Sequence, residues 1–109
     1  MEPYIGTWHI TEMSMWSAGY FNMEGQAYLE IRPNRMGRFH FGLIYADIDG
    51  VVEEVADAER FFFTFEGREE MWTEVSGAGW VRRDDKDRLS GWFKFHSGDA
   101  STFEARRAK

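Results

Sequence analysis

Residues 59–66 read ERFFFTFE, a run in which Phe61, Phe63 and Phe65 alternate with Phe62 and Thr64 between charged ends. A period of two marks a β-strand, because successive side chains leave a pleated backbone on opposite faces. Three phenylalanines on one face predict a strand with one deeply apolar side. The pattern repeats on both flanks. Residues 38–45, RFHFGLIY, place Phe39, Phe41, Leu43 and Tyr45 together, and residues 27–32, AYLEIR, place Ala27, Leu29 and Ile31 together. Residues 89–96, LSGWFKFH, group Leu89, Phe93 and Phe95, with Gly91 among them.

Turn chemistry separates these runs. Pro33-Asn34-Arg35-Met36-Gly37, Asp47-Ile48-Asp49-Gly50, Asp84-Asp85-Lys86-Asp87 and Ser97-Gly98-Asp99 all read as hairpin connections, with Gly, Asn and Asp supplying unusual backbone angles. Eight strands are expected, at 5–12, 27–33, 37–46, 51–56, 59–66, 77–83, 88–96 and 100–107. Residues 11–26 differ. Met13, Trp16, Tyr20 and Met23 recur at helical spacing, so a short helix or ordered loop is expected near residues 14–24, with Ser14 as cap, Gly25 as stop and Gly19 weakening the middle. A meander of eight strands leaves two unpaired edges, and closure removes them. The expected fold is all-β: one domain over residues 1–109, an eight-stranded antiparallel up-and-down barrel. A sandwich of two four-stranded sheets is the rival.

The bulk numbers agree with one packed domain. The chain has 109 residues, 43% hydrophobic and 17% aromatic, with ten Phe, five Trp and four Tyr, a composition suited to pleated, half-buried surfaces. A net charge of −6 repels phosphate, so nucleic acid is not expected as a partner. No apolar run approaches the ~20 residues of a membrane helix, and the start MEPYIGTWHI lacks a basic region followed by an apolar one. No cysteine is present, which excludes disulfides and thiol chemistry and fits a reducing compartment, so a cytoplasmic location without membrane contact is expected.

Gly6-Thr7-Trp8, at the start of the first strand of such a meander, resembles the opening of the calycin barrels: lipocalins, fatty-acid-binding proteins and avidin-like proteins. In those families the tryptophan plugs the closed end, and in lipocalins a late arginine packs across it. The resemblance implies that Trp8 takes the first role and that Arg106 or Arg107 takes the second, through a cation–π contact.

Few residues suggest chemistry. His9, His40 and His96 each adjoin strongly apolar neighbours, so their phase points all three to solvent from different strands, and no metal site is expected. That phase reverses together if a dimer turns the aromatics outward. His96-Ser97-Gly98-Asp99 cannot be a catalytic triad, since neighbours in one tight turn cannot align as nucleophile, base and orienter. Asp47-Ile48-Asp49-Gly50 lacks the rest of a calcium loop, and Ser76-Gly77-Ala78-Gly79-Trp80 lacks the lysine and helix of a phosphate cradle. Its glycines instead suit a kink or a close approach of strands. Glu66-Gly67-Arg68-Glu69-Glu70-Met71-Trp72 reads as a solvated loop with Met71 and Trp72 folded back over the barrel.

Three functions follow. The first is a barrel binding a small apolar or aromatic ligand. Trp16, Tyr20, Phe21, Tyr45, Trp72 and Trp80 would gather at its mouth and Phe41, Phe63 and Phe93 would line it, with Tyr28, Glu30 and Arg32 as polar groups if strand two is turned inward. The second is a non-enzymatic homodimeric interaction module with a packed, ligand-free core, using Phe62, Trp92 and Ile44 on the outer phase. The third is an enzyme, which needs at least two of Glu30, His40, Glu69, Glu70 and His96 within hydrogen-bond reach of one another. No cofactor fingerprint is present.

Overall fold

A computed structural model describes residues 1–108. The eight strands are β1 (Gly6–Met13), β2 (Tyr28–Ile31), β3 (Met36–Phe41), β4 (Ile44–Val55), β5 (Ala58–Glu69), β6 (Thr73–Asp85), β7 (Arg88–Phe95) and β8 (Ala100–Arg107). Each pairs antiparallel with the next, and β1 pairs with β8, so the sheet closes on itself in strand order β1 to β8. The expected barrel is the fold. It is preceded by a 3-10 turn at Glu2–Tyr4, and between β1 and β2 stands one helical turn, α1 (Ala18–Phe21). No helix among the described residues is long and apolar enough to cross a membrane.

The helical segment is shorter than expected. Ser17, not Ser14, precedes α1, and Met23 is left exposed. Phe21, outside the expected apolar face, is the residue of α1 that is buried.

The interior is phenylalanine. Phe39, Phe61, Phe63 and Phe93 are fully buried and Phe41, Phe65 and Phe103 nearly so. Phe39 sits among them, 5.1 Å from Phe93, 5.4 Å from Phe41, 5.6 Å from Phe65 and 6.0 Å from Phe63 and Phe103 by ring centroid. These are the separations at which aromatic pairs attract. Glycines on the neighbouring strands make room for the rings. A Cβ at Gly77 would lie 2.6 Å from the Phe65 ring, one at Gly91 2.7 Å from Phe103, and one at Gly50 would strike Phe61. Each large ring thus lies over a residue with no side chain, the device by which an aromatic covers glycine backbone across a strand pair.

One strand boundary corrects the sequence reading. Asp47-Ile48-Asp49-Gly50 is no turn; it lies within β4, with Ile48 buried and Asp47 and Asp49 exposed. The chain reverses earlier, at Gly42-Leu43, where Gly42 has φ +54° and a Cβ would meet the Tyr20 ring at 2.5 Å. A two-residue hairpin with positive φ at its first position favours glycine there. Reversal at that point shifts the phase: Ile44, Ala46 and Ile48 face inward, and Tyr45 faces out. Gly50, which looked like turn chemistry, is instead the space beneath Phe61.

Candidate functional site

A tryptophan lies toward each end of β1. At one end Trp8 is fully buried and its Nε1–H donates to the Tyr4 carbonyl at 2.9 Å. The Arg107 guanidinium lies over its ring at 4.1 Å. Arg107 also donates to the carbonyls of Ile5 (2.9 Å), Pro3 (3.2 Å) and Lys86 (3.0 and 3.1 Å), and stands 3.6 Å from Asp87. Of the two candidate arginines, Arg107 is therefore the one over Trp8, and Arg106 is exposed on the other face of β8. Beside it Tyr4, 5.8 Å from Phe61, has its phenol pushed above the ordinary range by burial first and by Glu59 second.

At the other end Trp16 lies across the mouth. It is half-buried, stacked on Phe93 at 6.1 Å and 11° and on Tyr20 at 6.1 Å, and it touches Phe41 at 5.1 Å. Burial first, then Glu69, raises the Tyr20 phenol. Of the side chains expected around a ligand, Trp16, Tyr20, Phe41 and Phe93 are brought together, but packed against one another, and Phe63 packs instead on Phe39, Phe61 and Phe65. Three are placed elsewhere. Tyr45 is on the outer face, Trp80 is on the outer phase of β6 with Arg60 at 5.4 Å, and Trp72 is 84% exposed. Met71 and Trp72 do not fold back over the barrel. Pairing of β5 with β6 persists to Glu69 and Thr73, which leaves a turn with positive φ at Glu70 and Met71, too tight to bend inward. In β2 and the residues flanking it, Ala27, Leu29 and Ile31 face the core, so Tyr28, Glu30 and Arg32 stay outside, with Arg32 paired to Glu30 at 2.9 Å.

The histidines divide. His96 is exposed and His9 half-buried, whereas His40, expected in solvent, is only 3% exposed. Its cross-strand neighbours cause this: Tyr45 stacks on the imidazole at 4.0 Å and Tyr28 tilts against it at 5.6 Å. Nδ1 lies 2.7 Å from the Ile44 carbonyl, which only an N–H can satisfy, so Nδ1 is the donor of this contact. Nε2 is buried without a hydrogen-bond partner. Among the described residues no hydrogen bond links any two of Glu30, His40, Glu69, Glu70 and His96.

One open groove on the outer wall, about 810 Å³, runs over β4–β7 past Thr64, Ser76, Gly77 and Ala78. Trp92, Lys94 and His96 stand on one side, and Met36, Asp47 and Asp49 on the other. Register explains the arrangement. One row across the sheet reads Met36, Asp49, Thr64, Ala78, Lys94, and the next reads Arg38, Asp47, Glu66, Ser76. A third row, Val51, Phe62, Trp80, Trp92, is wholly apolar. Phe62 and Trp92 face outward and are half-buried as expected, but Ile44 has turned inward with the phase of β4. A second cleft, about 160 Å³, is lined by Tyr28, Arg38, His40, Tyr45 and Asp47, so Asp47 borders both cavities. Sequence reasoning missed Asp47 and Asp49 because a supposed turn concealed their strand phase.

No protein-family model matches the chain, and no curated protein or solved structure matches it either.

Proposed function

We propose that this barrel is a non-enzymatic binding module, acting in a reducing cytoplasm, that takes a small ligand with an apolar or aromatic part on the outer face of β4–β7. The carrying observation is the contrast between its two surfaces. The interior phenylalanines fill the space against one another, while Phe62, Trp80 and Trp92 align on the outside beside a groove of about 810 Å³. Pockets combine aromatic walls with a few polar groups, and the groove does so. Kinship with the calycin barrels is supported by the Trp8–Arg107 seal, and it bears on architecture alone.

A fragment titration followed by amide and indole NMR shifts tests the reading. The expected shifts are at Thr64, Ala78 and the Trp92 indole N–H. Shifts confined to Phe41, Phe63 and Phe93 would place the ligand inside the barrel and reject it.

Self-association is the second reading, favoured by the apolar row Val51–Phe62–Trp80–Trp92 across four strands. Sedimentation velocity over a wide concentration range separates the two, because a dimer through this face closes the groove as it forms.

A further inference from the structure

The smaller cleft, about 160 Å³, is lined by Tyr28, Arg38, His40, Tyr45 and Asp47, which β2, β3 and β4 bring together on the outer face. His40 is buried within its wall. One ring nitrogen is engaged by the Ile44 carbonyl, and the other, Nε2, has no partner. A buried polar atom in that state bears the cost of its lost hydration, and a ligand that hydrogen-bonds to it recovers that cost on binding. The rings packed on the imidazole are surface tyrosines: Tyr45, 48% exposed, at 4.0 Å, and Tyr28, half-buried, at 5.6 Å. Neither belongs to the core, so a rotation of either side chain opens Nε2 to the cleft.

The chemistry of the walls selects the ligand. Arg38 offers only donors and Asp47 only acceptors, and at 3.8 Å their charges offset each other, so a simple ion gains little. Glu30, opposite Arg38, is paired with Arg32, and Glu66, opposite Asp47, lines the groove rather than the cleft. A hydroxyl both donates and accepts, so it satisfies Nε2 in either protonation state of the ring. Neighbouring hydroxyls meet Asp47 and Arg38 at the same time. The cleft is smaller than the ~300 Å³ at which drug-sized pockets begin, which limits the ligand to a single ring.

We propose that this cleft, separately from the groove, binds a neutral six-membered ring bearing vicinal hydroxyls. One hydroxyl bonds His40 Nε2, its neighbours bond Asp47 and Arg38, and the C–H face of the ring lies against the tyrosines.

Methyl β-D-glucopyranoside, methyl α-D-mannopyranoside and myo-inositol are suitable probes, titrated into the full chain and followed by the His40 ring nitrogens and the Tyr28 and Tyr45 ring protons in NMR. At least one is expected to shift these signals while leaving Thr64, Ala78 and the Trp92 indole N–H in place. It should bind at least about tenfold tighter than tetrahydropyran-2-methanol, a similar ring without vicinal hydroxyls. Asp47→Ala, at an exposed position, should weaken binding about tenfold without lowering the melting temperature, and His40→Phe should abolish binding. The proposal is overturned if none of the three probes shifts His40 and the tyrosines, or if tetrahydropyran-2-methanol binds equally well. Unchanged affinity in Asp47→Ala, or tighter binding of benzoate or butylammonium at the same signals, overturns it too. The groove reading stands or falls on its own signals, at Thr64, Ala78 and Trp92.

Discussion

Arg107 and Trp8 form one unit: the guanidinium lies 4.1 Å from the indole centroid while its N–H groups hold the carbonyls of Pro3, Ile5 and Lys86. The last strand is thereby tied to the segment before the first and to the β6–β7 turn, at the seam where β1 meets β8. Charge-assisted hydrogen bonds and a cation–π contact each contribute on the order of 1–3 kcal/mol when partly desolvated, and they share donors, so their sum is smaller. Arg107→Ala is expected to cost about 2–4 kcal/mol in urea unfolding, against under about 0.5 kcal/mol for the exposed Arg106→Ala. Equal losses in the two variants would show that the seal does not depend on this contact.

Glycine spacing under the rings is open to a direct comparison. A Cβ at Gly79 would press on the Trp92 carbonyl oxygen and lie 2.8 Å from Phe93 Cβ, whereas one at Gly19 in α1 meets only Ser17 Oγ at 3.8 Å. Gly79→Ala should destabilise by about 1–3 kcal/mol through overpacking, and Gly19→Ala should stabilise by up to about 1 kcal/mol through helix propensity. Thermal unfolding of both variants gives the signs, and a neutral Gly79→Ala would mean that the strands have room to separate.

Trp16 is the removable end of the packed core. Trp16→Ala deletes a half-buried indole stacked on Phe93 and Tyr20 and should cost about 2–4 kcal/mol, with the mouth left open over Phe41. Added indole is expected to bind there and recover part of the loss, as read by calorimetry. A variant that neither loses stability nor binds indole would show that Trp16 does not close the barrel.

Across the closing seam Glu12 and Glu104 face each other, and the hydrogen bond that a protonated Glu104 donates to Glu12, then the Glu12 charge, raises the Glu104 carboxyl above the ordinary value of 4.5. A carboxyl raised in the folded state holds its proton longer than in the unfolded chain. Its contribution to stability is therefore full below the ordinary carboxylate range and is lost as pH rises through the raised value. Stability curves from mildly acidic to neutral pH should fall more for the native chain than for Glu104→Gln, with the variant the more stable at neutral pH. Parallel curves would remove the pair from the pH response.

Trp72 supplies the opposite kind of test. At 84% exposure on a tight turn it contributes nothing to the core, so Trp72→Ser should change stability by less than about 0.5 kcal/mol. A larger loss in urea unfolding would mean that this turn packs back on the barrel after all.

Strand number, antiparallel order, closure and the inward phase of Phe39, Phe61, Phe63, Phe65 and Phe93 were legible in the sequence. So were Phe62 and Trp92 as outward rings. Period-two alternation carries that information locally, because a strand's two faces are written in its own residues. Tertiary structure alone decided the rest. Asp-Ile-Asp-Gly at 47–50 has turn composition, yet Gly50 is needed beneath Phe61 and Gly42 beneath Tyr20, and those rings come from distant parts of the chain. The same holds for burial of His40, which needs a tyrosine from each neighbouring strand, and for the groove, which needs four strands in one register. A residue's own face is a property of its neighbours in sequence, whereas what lies over that face is a property of register, which closure of the barrel sets for all strands at once.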